Sequence, residues 1–237
     1  MEKTAYVTGC DRGLGLALAK ALLAEGYRVF AGSYLSDWPE LGELAEREPR
    51  LRIVPLDIGS DKSVQRAAKA VRAETDHLDM LINNAAIYRD RSEDVFGDLF
   101  FDDMLNMYNV NALGALRVTN SVIDLLVKGE GKRLVNISSE AGSIAGNWRK
   151  REYGYCMTKA AVNMQSAILQ NHLREYGIKV MCFHPGWVRS WMSGKFNDKA
   201  TVEADDAAKG IIAQVLAPQE ITPLPSYTDY TGKPLPW

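Results

Sequence analysis

"TGCDRGLGLALAKALLAEG", residues Thr8 to Gly26, carries the end of an apolar, strand-like run, "TAYVTG" (4–9), into a pattern of helical period. Between run and helix stand Gly9, Gly13 and Gly15, spaced G-x-x-x-G-x-G. Glycine lets a turn take positive φ and lets backbone N–H groups approach a pyrophosphate at the positive end of the next helix. Strand, glycine turn and helix in that order predict the first βα unit of a dinucleotide-binding sheet. Such turns also serve packing alone, so the reading rests on what surrounds this one.

Moving outward, the pattern repeats. The runs "YRVFAG" (27–32), "LRIVPL" (51–56), "LDMLIN" (78–83), "KRLVNIS" (132–138) and "GIKVMCF" (177–183) are separated by stretches with a period near 3.6. Alternation of this kind predicts βαβ units, and runs without in/out alternation predict strands covered on both faces. The expected class is α/β: a single doubly wound Rossmann-type domain over residues 1–237, its central parallel sheet flanked by helices on both faces. The segments Leu99 to Val127 and Gly154 to Tyr176 are expected to be the largest helices, the second ended by Gly177. Both carry more apolar side chains than one sheet-facing stripe needs, which suits a homodimer or homotetramer. The tail "ITPLPSYTDYTGKPLPW" (221–237) reads as an ordered arm against the body, with a disordered tail as the alternative.

Bulk properties exclude several classes. The chain is 46% apolar and 24% charged with a formal net charge of −2, so no basic excess points to nucleic acid or an anionic membrane. Three cysteines without CxxC or Cys/His spacing support neither a disulfide framework nor a metal site, and fit a reducing cytoplasm. The first residues run directly into a strand, and no apolar run nears the roughly 20 residues that cross a bilayer. The expected location is cytoplasmic, with small molecules or other protein as partners.

Polar residues and glycines cluster at the carboxyl ends of the expected strands: the glycine loop, Ser33, Asp57, Asn83 and Asn84, Ser138 and Ser139, and "HPGWVRS" (184–190). In open α/β sheets the ligand crevice lies outside those ends. An acidic residue closing the second strand would mark NAD; here Ser33 and Tyr34 stand there, while Arg12 sits beside Gly13. NADP is the expected cofactor and NAD a possible one; Arg12 as a solvated surface charge is the alternative. Asp57 is either an acceptor for the adenine amine or the cap of a helix starting near Asp61. Asn111, inside an apolar helix, is either an anchor for an ordered water or a satisfied core amide. Ten tyrosines and 28 Lys+Arg give about one Tyr with a basic residue four places on by chance, and Tyr155 with Lys159 is that one pair.

Taken in order, "TGCDRGLG", "LDI", "NNAA", Asn111, "VNISSEAG", Tyr155 to Lys159 and "PGWVRS" resemble the short-chain dehydrogenase/reductase family over nearly the whole length. "TGCDRGLG", "HPGWVRS" and the terminal "GKPLPW" are similar to the branch with the C-factor-like proteins and the Sniffer-type carbonyl reductases. The resemblance implies an NAD(P)-dependent oxidoreductase transferring a hydride between nicotinamide and a carbonyl or alcohol substrate. It implies that Tyr155 is the acid/base, Ser139 holds the carbonyl, Lys159 binds the ribose and Asn111 completes a water-linked relay. Ser139 is preferred to Ser138 because the family usually uses the second of the pair. Implied cofactor contacts fall on Gly9, Arg12, Gly13, Leu14, Gly15, Asp57, Ile58, Asn84, Ala85, Ala86, Pro185, Gly186 and Val188, with Ser33 and Tyr34 at the adenosine end. The family's NNAG is NNAA here, so Ala86 adds a methyl; Ser190 replaces a usual Thr and keeps its hydroxyl. Residues 187–203 are the expected substrate loop, with Trp187, Trp191, Met192 and Phe196 as apolar walls or as packing. Competing implications are a cofactor-binding signalling protein with little turnover, and a dehydratase or epimerase on the same scaffold.

Chemically, hydride transfer to a carbonyl leaves charge on oxygen, which calls for a proton donor and a hydrogen-bond donor aimed there. Bringing a tyrosine from pKa about 10 to neutrality takes roughly 4 kcal/mol. A unit positive charge about 4 Å away supplies roughly that amount at an effective dielectric near 20. Positions i and i+4 share a helix face, so Lys159 is expected to draw the Tyr155 phenol down.

Overall fold

The computed structural model describes residues 2–89, 93–218 and 220–237. Seven strands form one sheet: β1 (Thr4–Thr8), β2 (Arg28–Ser33), β3 (Leu51–Pro55), β4 (Met80–Asn83), β5 (Arg133–Ile137), β6 (Lys179–His184) and β7 (Ser226–Asp229). Their order is β3-β2-β1-β4-β5-β6-β7 and every neighbouring pair is parallel. The chain winds outward from β1 to β3, then returns to start β4 on the other side of β1. That reversal opens the crevice at the carboxyl ends of β1 and β4.

Period-two geometry explains the unbroken apolar strands. Ala5 and Val7 of β1 point to a core with Leu18 and Leu22 of α1 (Gly13–Ala24) and with Ile211 and Val215 of α7 (Ala204–Leu216). Tyr6 points the other way, among Phe30, Leu81, Leu134 and the helices α3 (Asp61–Arg72) and α5 (Ala115–Lys128). Both faces are buried, so both residue sets are largely apolar. A nine-residue helix, α2 (Pro39–Arg47), starts with proline at its first turn, where the missing N–H costs nothing. Ser60 caps α3, its Oγ accepting from Ser63 N at 3.4 Å, so Asp57 is not the cap. Gly177 ends α6 (Tyr153–Leu173) and its short 3₁₀ extension in the left-handed conformation, φ +75°, as expected.

The segment expected as one long helix from Leu99 is α4 (Phe101–Met107), a π-helical stretch Tyr108–Gly114, and α5. Its length and composition would let it cross a bilayer, contrary to the sequence reading, but half of the apolar window is buried. Val118, Val122 and Leu126 are completely buried in the core. It is the sheet that covers this helix.

Six strands were expected and the seventh lies in the tail. The arm is ordered, and Tyr227 of β7 registers with Cys182 of β6. The Trp237 carbonyl accepts from Ala145 N at 2.9 Å and its ring lies 4.9 Å from that of Tyr227. Four residues flanked by Pro223, Pro225 and Pro234 carry too little pattern to announce a strand.

Candidate active site

The glycine loop leaves the carboxyl end of β1 at the edge of the crevice. Gly9 has φ +70°, and a Cβ there would lie 2.8 Å from Ala85 Cα; a Cβ on Gly15 would lie 1.9 Å from Gly9 O. Asn84 ties the loop to β4, donating to Thr8 O at 2.9 Å and Gly9 O at 3.2 Å. The Thr8 hydroxyl accepts from the amides of Asn84 and Ala85, each at 3.0 Å. The first turn of α1 has no acidic residue and no side-chain cap from Arg12. Its leading N–H groups and the positive end of its dipole are thus left for an anion, which suits a dinucleotide's pyrophosphate. Leu14 is half-buried behind this turn, and Ile58 is buried against Gly114 of the π-helical stretch. Asp57 Oδ1 accepts from Gly59 N at 2.9 Å. Ala86 is half-buried without a positive φ, so its extra methyl forces no left-handed backbone.

At the end of β2 one expectation fails. A carboxylate does stand at the end of β2: Asp11, from the glycine loop, accepts through Oδ1 from Ser33 Oγ at 2.7 Å, Tyr34 N at 2.8 Å and Leu35 N at 2.7 Å. It reaches this place because β1 and β2 are neighbours, a relation that inspection of β2 alone misses. Tyr34 is 69% exposed. The Arg12 guanidinium lies 4.4 Å from the Trp38 ring and donates to Trp191 O at 3.2 Å. Trp191 contacts Trp38 at 4.9 Å and Phe196 at 4.5 Å between ring centroids. The loop after β6 therefore lies against the first two βα turns. Pro185 and Gly186, φ +82°, lead into it; Val188 bridges to Val202, and Ser190 comes within 3.5 Å of where a Gly13 Cβ would be. Trp187 and Met192 are partly exposed.

Beyond β5, helix α6 brings Tyr155 and Lys159 onto one face. Lys159 is 3% exposed, and its Nζ donates to Ile137 O at 2.9 Å and lies 5.6 Å from the Tyr155 ring centroid. Burial holds its pKa down at about 8. Ser138 and Ser139 differ in what they hold. The Ser138 hydroxyl donates to Asn163 Oδ1 at 2.6 Å, whereas Ser139 Oγ accepts from Ala141 N at 3.2 Å and stands near enough to Tyr155 to lower its pKa. From below, the Tyr227 hydroxyl donates to Ser139 O at 2.5 Å. Tyr88 stands edge-on to Tyr155 at 5.2 Å and donates to Glu152 Oε1 at 3.1 Å.

The Tyr155 phenol is pushed up, not down. Desolvation is the largest cause and Ser139 lowers it only in part. The expected drop presumed an ammonium about 4 Å from the phenol at full charge. Lys159 instead points its Nζ at the Ile137 carbonyl and is itself partly neutral near pH 8.

Asn111 lies within the π-helical stretch, 2% exposed. Its Oδ1 accepts from Ile87 N at 2.8 Å; its Nδ2 donates to Ile87 O at 2.9 Å and Thr158 Oγ1 at 3.2 Å. The side chain is a satisfied core amide. Its bonds fasten the loop after β4 to the π-helical turn, where the regular i to i−4 ladder is interrupted. Asp11, Tyr88, Glu140, Arg149, Glu152 and Tyr227 were missed as parts of this neighbourhood. Asp11 and Glu140 lie inside the quoted "TGCDRGLG" and "VNISSEAG", and Tyr88 two residues beyond "NNAA"; the others carried no local signal.

Residues 3–201 match the family described as short chain dehydrogenase. The chain belongs to that family. It is 34% identical over 172 residues to C-signal of Myxococcus xanthus, which covers 72% of this chain and 99% of the relative. It is 36% identical over 195 residues to the mitochondrial D-beta-hydroxybutyrate dehydrogenase of Bos taurus, covering 78% of this chain. The chain spans about half the length of that relative, 54%. Among solved structures, NADPH-bound carbonyl reductase from chicken fatty liver has a TM-score of 0.88 at 31% identity, covering 100% of this chain and 99% of the other. Carbonyl reductase Sniffer of D. melanogaster has a TM-score of 0.90 at 25% identity, with 100% of each chain covered.

Proposed function

We propose that this short chain dehydrogenase is an NADP-preferring carbonyl reductase, with Tyr155 as proton donor, Ser139 as the second donor to the carbonyl oxygen and Lys159 as ribose ligand. The observation that carries this reading is the meeting of three residues: Lys159 Nζ lies 5.6 Å from the Tyr155 ring centroid, one helical turn along α6, and Ser139 stands near enough to the phenol to lower its pKa. When bound, the nicotinamide supplies or receives the hydride. As the substrate's carbonyl carbon gains that hydride, its π pair moves to oxygen, which takes the Tyr155 proton while the Ser139 hydroxyl donates to it. The tyrosinate is then reprotonated from Lys159, whose pKa of about 8 suits the exchange. The high pKa of Tyr155 keeps it protonated at neutral pH, as a donor must be. Gly9, Gly13, Leu14, Gly15, Asp57, Ile58, Asn84, Ala85, Ala86, Pro185, Gly186, Val188 and Ser190 would line the cofactor, and residues 187–203 would cover the substrate.

Consumption of NADPH over a panel of aldehydes and ketones tests the reading. Cofactor binding without turnover on any of them would favour the signalling alternative suggested by the likeness to C-signal. The preference for NADP draws on the cation at Arg12 and on neighbours solved with NADPH or NADP. The one Asp11 oxygen facing β2 already accepts three bonds, which tempers its repulsion of a 2′-phosphate. Arg12→Ala should lower kcat/KM for NADPH by about 10- to 100-fold, the worth of a charge-assisted hydrogen bond, and leave NADH within about twofold. An equal loss for both cofactors would remove Arg12 from the 2′-phosphate.

Phe101 and Leu105 of α4 and Met164 and Ile168 of α6 are each 60% exposed or more, on neighbouring helices. A homodimer or homotetramer through this face is the proposed assembly. Leu105→Glu with Ile168→Glu should give monomers by sedimentation velocity, and a wild-type monomer at micromolar concentration would rule the assembly out.

A further inference from the structure

Between the 3₁₀ turn after Ser139 and the start of α6 runs an irregular loop, residues 143–152. One of its side chains folds back into the crevice wall. Arg149, with 16% of its side chain exposed, donates through Nη1 to Glu140 Oε2 at 2.7 Å and through Nε to Glu152 Oε2 at 2.6 Å, with a further Nη2 bond to Glu140 Oε1. Glu140 is the residue after Ser139, and Glu152 stands three before Tyr155. The second carboxylate also accepts from Tyr88, whose ring abuts Tyr155. Glu152 has φ +66°, a left-handed conformation that a residue with a Cβ adopts at a cost of roughly 1 kcal/mol, and it is the residue from which α6 sets out. A fork of five donors on a planar group can hold two carboxylates in fixed directions at once; an ammonium cannot.

We infer that Arg149 is a positioning residue that sets the spacing between Ser139 and Tyr155, by bridging the residue after the serine to the residue that launches the tyrosine's helix. This rests on the reading of Ser139 and Tyr155 as the reacting pair. Two donors must meet one carbonyl oxygen, and a displacement near 1 Å in such a pair costs about a hundredfold in rate. The bridge acts at the start of α6, whereas further along the helix Asn163 Nδ2 donates to Gly142 O of the 3₁₀ turn after Ser139 at 3.1 Å. Arg149 also lowers the Glu140 carboxyl, chiefly through their hydrogen bond.

The test uses the full-length protein labelled with ¹³C at the tyrosine Cζ, the Tyr155 signal being the one lost in Tyr155→Phe. Arg149→Met is expected to reduce kcat by about 10- to 100-fold, leave KM for NADPH within about twofold and displace the Tyr155 signal. Arg149→Lys should fall close to Arg149→Met, and Glu140→Gln added to Arg149→Met should bring no further loss, because the bridge is already gone. A kcat within twofold of wild type in folded Arg149→Met overturns the inference, as does a fully multiplicative double variant. If Arg149→Met does not fold, Glu140→Gln and Glu152→Gln each remove one arm, and two unimpaired enzymes overturn it equally. Wild-type protein without turnover on the carbonyl panel sinks the proposed function instead; the Tyr155 signal then decides, and an unmoved signal in Arg149→Met overturns the bridge.

Discussion

Tyr155→Phe should lower kcat by about 10²- to 10⁴-fold, the range a positioned general acid contributes, while the dissociation constant for NADPH stays within about threefold. The ring remains, so the edge-on contact with Tyr88 and the packing of α6 survive. What disappears is the hydroxyl proposed as the proton donor. Single-turnover measurement of NADPH oxidation separates this from slow product release. A variant retaining a tenth of the wild-type rate would move the acid elsewhere, since Ser139 would then be carrying the proton alone.

Lys159→Met should move stability and activity in opposite directions. The buried ammonium is held near pKa 8 where an unfolded lysine titrates at 10.5, a native-state penalty of roughly 3 kcal/mol at pH 7. Below pH 8 both states keep the proton and the penalty is whole. Between about 8 and 10.5 the native state releases it first, the unfolded state binds more, and wild-type stability rises with pH. Methionine removes the penalty but leaves the Ile137 carbonyl without its donor, at a cost of about 1 kcal/mol or more. The net expectation is a variant roughly 2 kcal/mol more stable than wild type at pH 7, the advantage shrinking above pH 8. Urea unfolding at pH 7 and pH 9.5 reads both parts. Turnover should meanwhile fall at least about tenfold and NADPH bind more weakly, because the proposed ribose ligand is gone. A variant less stable at both pH values would mean that the lysine's packing outweighs its charge.

Much of this was open to inspection in the amino-acid sequence, and the reasons differ by residue. Strands buried on both faces announce themselves as plain apolar runs, so β1 to β6 and the crevice at their carboxyl ends could be found from "TAYVTG" onward. Tyr155 and Lys159 could be paired because a helix turns their separation into adjacency. Asp11 could not, because its place at the end of β2 depends on which strands are neighbours. The Ser138 and Ser139 pair looked symmetrical until Asn163, 25 residues away from the first, took one hydroxyl. Arg149 looked like one more charge in "NWRKREYG"; only the folded loop shows two carboxylates meeting it. The charge state of Lys159 depends on desolvation, and desolvation is a property of the assembled core.

The strand that supports Ser139 from below has a history of its own to tell. The stretch shared with the family ends at residue 201, and Tyr227 lies past it. Two members identical throughout that stretch would own the same reacting groups, yet an altered tail would seat the serine differently in each. Divergence among such proteins can therefore tune the rate from a region that alignments of the common part leave out, with every catalytic side chain untouched.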